Sequence, residues 1–93
     1  MKTRSGKAKG RRLQNKIRDV LLEHFSDKLE PDVIRTAIMV ETGEDIKLSQ
    51  AARILIPYSF ECKNQEKLSI WEALNQAAEN SGDYPPVLIF KRN

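Results

Sequence analysis

The apolar residues of this chain recur with a helical period in two stretches and form short strand-like runs elsewhere. In the first stretch, apolar side chains follow one another at intervals of three and four residues, while Lys16, Asp19 and Glu23 occupy the outer face. This spacing predicts an amphipathic helix over residues 10–25, and its apolar face consists of Leu13, Ile17, Val20, Leu21 and Phe25.

The second helical stretch follows Ser69, a residue type that accepts a hydrogen bond from the first turn of a helix. Gly82 and the pair Pro85-Pro86 end this helix, because glycine suits the last turn and proline cannot continue a helix. We expect its apolar positions to face the core, namely Leu68, Trp71, Leu74, Ala77 and Ala78.

Four shorter runs predict strands, over residues 33–40, 45–49, 58–63 and 87–90. A helical start at Pro31-Asp32 is an alternative for the first run. Gly43 predicts a tight turn before the second run, since glycine tolerates positive φ. Ser49 predicts the cap of a short helical segment after it.

The predicted order is therefore helix, strand, strand, strand, helix, strand. A helix between the third and last strands suits a crossover connection, which sets those two strands parallel. The expected fold class is α/β, with helices covering one mixed four-stranded sheet.

Length and composition indicate one small domain of 93 residues. No long apolar run occurs, and no apolar segment follows the basic N-terminus, so we expect neither a membrane span nor a secretory signal. The single cysteine cannot form an internal disulfide. Together these features favour the reducing environment of the cytoplasm.

Positive charge is concentrated at the N-terminus. The first twelve residues contain no acid and six cations, Lys2, Arg4, Lys7, Lys9, Arg11 and Arg12. The remaining chain has ten basic and thirteen acidic side chains, a charge of −3. We predict a flexible basic arm over residues 1–9 that binds a phosphate backbone, followed by a domain over residues 10–93. A solubilising tail or a nuclear-type address is the alternative.

The candidate chemistry centres on Glu61-Cys62-Lys63. In a strand, side chains two residues apart share a face, so Glu61 and Lys63 point one way and Cys62 the other. Asp45, on the neighbouring predicted strand, can bring a second carboxylate to the same place. Two carboxylates beside an ammonium can hold a divalent cation against a phosphodiester. The alternative is an exposed ion pair of little energetic value and a simple turn residue.

This pattern resembles the PD-(D/E)XK nuclease superfamily, and within it the small Holliday-junction resolvases and related phage endonucleases. The order of the predicted elements matches the family core over nearly the whole chain beyond the arm. The matching residues are Lys9-Gly10-Arg11 with Gln14 in the first helix, Asp45 after a hairpin turn, the triplet Glu61-Cys62-Lys63, and Gln76 in the following helix.

The resemblance implies a Mg²⁺ site, in which Mn²⁺ can substitute. Its expected ligands are Asp45, Glu61 and the backbone carbonyl of Cys62, with water and phosphate oxygens. Lys63 is expected to be an ammonium that positions the water and stabilises charge, with a general-base role as the alternative. Gln14 stands where family members usually have a glutamate, which favours one dominant metal ion. Gln76 is expected to orient the lysine or the water.

The implied function is Mg²⁺-dependent cleavage of DNA, with branched DNA favoured because so small a domain has no room for a subdomain that reads base edges. Two symmetric cuts imply a C2 homodimer, for which the first helix and residues 33–40 are candidate surfaces. The resemblance also suggests a phage protein acting in the host cytoplasm. Alternatives are a nicking or homing-type endonuclease of the same superfamily and a catalytically inactive DNA-binding module.

Deleting residues 1–9 removes four positive charges. We expect both the affinity for DNA and the steepness of its salt dependence to fall, because fewer counterions are released on binding. Fluorescence anisotropy of labelled DNA over a salt series measures both quantities. An unchanged slope would show that the arm makes no contact with DNA.

Overall fold

The computed structural model of the chain describes residues 2–38 and 41–92, with side chains from residue 8 onward. A long helix opens the fold and is followed by two short strands, a short helix, and a strand–helix–strand unit. In chain order the elements are α1 (Lys2–His24), a 3-10 turn (Pro31–Val33), β1 (Ile34–Thr36), β2 (Ile46–Leu48), α2 (Gln50–Leu55), β3 (Ser59–Asn64), α3 (Ile70–Asn80) and β4 (Pro86–Lys91). The predicted order of strands and long helices is confirmed.

Serine caps start both of the later helices, as predicted. The Ser49 side chain accepts a hydrogen bond from the Ala52 N–H, and the Ser69 side chain accepts one from the Glu72 N–H. The first predicted strand is shorter than expected, because Pro31 opens a single 3-10 turn before β1. Residues 39 and 40 of that predicted strand lie outside the described part of the chain.

The strands form two separate sheets, so the prediction of one four-stranded sheet is wrong although the α/β class is confirmed. β1 pairs with β2 antiparallel, and β3 pairs with β4 parallel around the α3 crossover. Asp45, just before β2, donates its N–H to the Phe60 carbonyl at 2.9 Å. The next available donor of β3, the Cys62 N–H, binds the Asp45 carboxylate instead of a backbone carbonyl. A side chain thus ends the ladder that would have joined the sheets.

The first helix begins at Lys2, eight residues before the predicted start, and includes most of the segment predicted as a flexible arm. Lysine, arginine and alanine are good helix formers, but the apolar pattern begins only at Leu13 and cannot locate a start in front of it. Val20, predicted to be apolar core, is 52% exposed, and the neighbouring Leu22 packs against the core instead.

The core lies between α1 and the sheets. Its buried members are Leu13, Ile34, Ile46, Ala52, Ile56, Phe60 and Cys62. Because Phe60 and Cys62 belong to this cluster while the Glu61 side chain contacts Asn80 of α3, α1 and α3 cover opposite faces of the parallel pair. Strand β3 is therefore enclosed on both sides.

Trp71, predicted to face the core, lies on the surface instead and is 78% exposed; the aromatic ring of Tyr58 is also partly on the surface, at 45% exposed. The face that α3 buries contains the small residues Ala73 and Ala77. Trp71 precedes Ala73 by two residues, a spacing that places it on another side of α3. In the described part of the chain, no helix combines the length and apolarity needed to cross a membrane.

Replacing Ile46 with alanine tests the core. Ile46 is fully buried, so we expect a loss of about 2–5 kcal/mol in the free energy of unfolding, measured by chemical denaturation. Ile54→Ala is the matched control, because Ile54 is 81% exposed and its truncation should change stability by less than about 0.5 kcal/mol. Equal losses for the two variants would contradict this description of the core.

Candidate active site

The turn before β2 positions Asp45, and contacts from Lys47 and Arg53 fix its conformation. Gly43 has φ +90°, a conformation that glycine adopts without strain, as predicted for this turn. The Lys47 ammonium donates to the Thr42 carbonyl at 2.6 Å. Glu44 forms an ion pair with Arg53 at 2.8 Å, and both side chains are largely shielded from solvent.

Asp45 connects the two sheets through three hydrogen bonds. Its N–H donates to the Phe60 carbonyl at 2.9 Å, and its own carbonyl accepts from the Ala37 N–H at 2.8 Å. Its side-chain Oδ2 accepts from the Cys62 N–H at 2.7 Å. The carboxylate is therefore fixed beside the middle of β3 and next to Glu61, where the sequence predicted it.

Glu61 is a buried acid, only 5% exposed, on the face of β3 that α3 covers. Its Oε2 lies 3.6 Å from the Lys63 Nζ, which confirms that these two side chains share a face. Its Oε1 accepts a hydrogen bond of 3.4 Å from the Asn80 side chain. Sequence analysis did not select Asn80, although it lies one helical turn after Gln76 and so shares that side of the helix.

The two carboxyl groups interact directly. Burial raises the pKa of Asp45 above its ordinary value, and the Cys62 N–H opposes that effect. Burial also raises the pKa of Glu61, and repulsion from Asp45 raises it further. When Glu61 holds a proton, it can donate a hydrogen bond to Asp45. Lys63 lowers both pKa values, but both stay raised, so its single positive charge does not fully offset the burial and mutual repulsion of the two carboxylates.

The two glutamines lie on different sides of the acid pair. Gln14 lines a cleft with Asp45, to which Gly10, Arg11 and Glu41 also contribute. Gln76 lines a groove of about 770 Å³ with Lys63, together with Lys67 and Arg92. The structure thus brings Gln14 to the Asp45 side of the pair and Gln76 to the Lys63 side. Among the described residues, the two carboxylates accept hydrogen bonds from the Cys62 N–H and the Asn80 side chain, and not from either glutamine.

Cys62 contributes backbone and packing, not a reactive thiol. Its side chain is 6% exposed within the core. Burial, with smaller effects of Asp45 and Glu61, raises the pKa of the thiol to about 12, so it stays protonated and is a poor nucleophile. The contact seen at this residue is through its N–H, and a metal-ligand role for its carbonyl stays a prediction.

The donor atoms of this pair suit a hard divalent cation. Carboxylate oxygens are preferred ligands of Mg²⁺, and a cation would relieve the repulsion that raises the pKa of Glu61. Across residues 2–38 and 41–92, no cluster of three or more His, Cys, Asp or Glu side chains could hold a metal. Mg²⁺ commonly keeps several waters and binds through one or two carboxylates plus phosphate, so two acids are a fitting set.

The predicted DNA-binding cations are only partly described. The side chains of Lys2, Arg4 and Lys7 lie outside the described residues. Arg11 lines the cleft that contains Asp45 and Gln14. Lys9 and Arg12 line a different cleft beside the ends of β3 and β4.

No protein-family model, curated protein or solved structure matches the chain, so the interpretation of the site rests on its own residues.

Glu61→Gln should stabilise the metal-free protein at alkaline pH. The pKa of Glu61 is raised in the folded state, so wild-type stability falls as pH rises above the ordinary value of 4.5 and through the folded pKa. Glutamine removes that loss. We expect a higher Tm than wild type at pH 8 in EDTA, and no difference at about pH 4, where Glu61 is protonated.

The exposed Glu66 supplies the control substitution, Glu66→Gln, which should leave Tm unchanged at both pH values. A lower Tm for Glu61→Gln at pH 8 would mean that the Lys63 ion pair outweighs burial and repulsion. In that case the ionised Glu61 would stabilise the folded protein, and its burial would not be a loss of stability that a bound ligand has to offset.

Proposed function

We propose that this protein is a Mg²⁺-dependent endonuclease that hydrolyses DNA phosphodiester bonds, with Mn²⁺ able to substitute. The observation that supports this most is a pair of neighbouring acids, the half-buried Asp45 and the buried Glu61. Both have raised pKa values, and the Lys63 ammonium lies 3.6 Å from Glu61. Burying two interacting acids costs stability, and function is the usual reason for such an arrangement. The order of elements agrees with the PD-(D/E)XK pattern, although the split sheet departs from the fold expected.

Each residue of the site has a distinct role in this proposal. Asp45 and Glu61 would hold the metal ion, with the Cys62 carbonyl as a third ligand. The bound ion would neutralise charge on the phosphate and lower the pKa of a water molecule. Asp45 is oriented by the Cys62 N–H and Glu61 by Asn80, so both carboxylates are preorganised.

Lys63 acts as a fixed positive charge at the edge of the groove. Its ammonium donates hydrogen bonds to the attacking water or to a phosphate oxygen and stabilises the developing negative charge. Gln76 lines the same groove and can hold the water or the Lys63 side chain through its amide. Gln14, on the Asp45 side, adds no charge, so one metal ion dominates.

Branched DNA is the proposed substrate. The described part of the chain offers a groove and a basic first helix but no additional subdomain dedicated to reading base edges. Recognition then relies on backbone shape and phosphate contacts. Two matched cuts require two sites, hence a C2 homodimer. The apolar face of α1 packs inside this chain, which makes the exposed Trp71 and Phe90 better dimer candidates.

A catalytically inactive DNA-binding module is a second candidate, and one observation favours it. The Asp45 carboxylate already satisfies the Cys62 N–H, so this acid has a structural role that would persist without catalysis. Cleavage by the purified protein, with and without Mg²⁺, separates the two candidates. Comparing four-way, forked and linear DNA separates a junction-specific enzyme from a nicking or homing-type endonuclease.

Asp45→Asn and Glu61→Gln should each reduce the cleavage rate by at least about 100-fold, because each removes a charge from the metal site. Asparagine keeps an oxygen for the Cys62 N–H, so loss of activity would not reflect loss of the sheet connection. Binding of four-way DNA in EDTA should be equal or tighter, since repulsion toward phosphate falls. The rate is measured by gel electrophoresis of labelled junctions in Mg²⁺.

Glu79→Gln, an exposed change on α3, is the control and should cut at the wild-type rate. Wild-type cutting by either Asp45→Asn or Glu61→Gln would refute the assignment of the site. Absence of cleavage by the wild type on all three DNA forms, despite binding, would favour the inactive module.

A further inference from the structure

A cluster of positive charge lies on the α1 face of the parallel strands, whereas Glu61 and Lys63 lie on the α3 face. It is a small cleft of about 210 Å³, lined by Lys9, Arg12, Leu13 and Lys16 of α1 and by Asn64 and Lys91 at the ends of β3 and β4. Four of these six residues are cations and none is an acid. By contrast, the groove beside Lys63 contains Glu66 and Glu72 as well as cations.

The helix and the strands bring these cations together from distant parts of the chain. Lys9, Arg12 and Lys16 are spaced by three and four residues, so they form one stripe of α1 beside the buried Leu13. Asn64 and Lys91 are partners in the parallel register of β3 and β4. The Asn64 amide donates to the Lys9 carbonyl at 3.3 Å and so connects the helix to the strand end.

The cations of this cleft have no acidic partner. The ion pairs in the described part of the chain involve Arg18, Arg35, Arg53 and Lys63, and none involves Lys9, Arg12, Lys16 or Lys91. Like charges at this helical spacing repel one another. A bound anion would remove that repulsion and would find several donors in one small volume.

Asn64 leaves one acceptor of the cleft without a donor. Its Oδ1 is buried and has no hydrogen-bond partner among the described residues, and a buried unpaired acceptor is costly. The Lys16 or Lys91 ammonium, or a water molecule, can donate to this oxygen, and a phosphate beside it would be held by the cations and not by Asn64 Oδ1.

The position of the cleft relative to the acid pair suggests what the anion is. Asn64 follows Lys63 directly in β3, and their side chains point to opposite faces of the strand. The carboxyl ends of parallel strands are a common place for ligands in α/β folds. A DNA strand whose cleaved phosphate lies at Lys63 would therefore pass the ends of β3 and β4 and reach the cleft.

We propose that the cleft formed by Lys9, Arg12, Lys16, Asn64 and Lys91 binds a phosphate of the DNA outside the position of cleavage. The identification of the anion as DNA phosphate rests on the proposed function, whereas the anion site itself does not. The cleft extends DNA contact beyond the N-terminal segment, because Lys16 and Lys91 lie outside it. A free inorganic phosphate ion is the other source of the same chemistry.

The double variant Lys16→Ala with Lys91→Ala tests the cleft, since both side chains are exposed and the ion pair of Glu61 is with Lys63 and not with either of them. Anisotropy of labelled four-way and linear DNA in EDTA would be measured over a salt series. We expect about a tenfold loss of affinity and a salt slope smaller by between about one and two, because fewer phosphates are neutralised. Lys28→Ala, an exposed lysine in the loop after α1, should leave both values unchanged.

Titration of the wild type with inorganic phosphate identifies the source of the anion. Displacement of DNA by millimolar phosphate in the wild type, with less effect on the double variant, would support a phosphate-sized site. A double variant with the affinity and salt slope of the wild type, and with unchanged circular dichroism, would overturn the inference. So would equal losses in Lys28→Ala, since these would indicate only a general effect of charge.

Failure of this inference is distinguishable from failure of the proposed function. If the wild type cuts DNA in Mg²⁺ while the double variant binds normally, the nuclease assignment stands and the cleft is not a phosphate site. If the wild type never cuts but the double variant loses affinity and slope, the cleft binds DNA in a protein that is no nuclease.

Discussion

The hydrogen bonds of Asp45 are the constraint on which this small fold depends. Its backbone connects β1 to β3, and its carboxylate replaces the carbonyl that would otherwise continue the ladder to the Cys62 N–H. Among the described residues, the hydrogen bonds between the two sheets are made by Asp45, which also supplies half of the acid pair, while the shared apolar core packs against both sheets. The Asp45 carboxylate thus has a structural role, as acceptor for the Cys62 N–H, and a proposed role as metal ligand. Substitution by asparagine separates the two roles.

The burial of Glu61 also lowers the stability of the folded protein. A chain of 93 residues has a small core and little stability to lose, yet it encloses an acid beside another acid. Lys63 and Asn80 offset only part of the cost, since the pKa of Glu61 remains raised. A cation would reverse the sign of this contribution. If the proposed metal ion binds, its binding is coupled to folding, and the metal-free protein would be the less stable form.

Much of the site could be predicted from the sequence, because the patterns that indicate it span only a few neighbouring residues. The two-residue period placed Glu61 and Lys63 on one face, and Ser49 and Ser69 marked helix starts. Asn80 and the exposed Trp71 were missed, because the rotation of α3 depends on how closely Ala73 and Ala77 approach β3. The split sheet could not be foreseen either, since the pattern does not show that a side chain ends the ladder.

The buried thiol of Cys62 has a practical consequence for labelling. With its pKa raised to about 12, this sulfur carries almost no thiolate at neutral pH and should resist alkylation and oxidation. A cysteine introduced at an exposed position, such as that of Ile54, would then react selectively with a maleimide dye. The native sequence is thus ready for single-site fluorophores without first removing its own sulfhydryl.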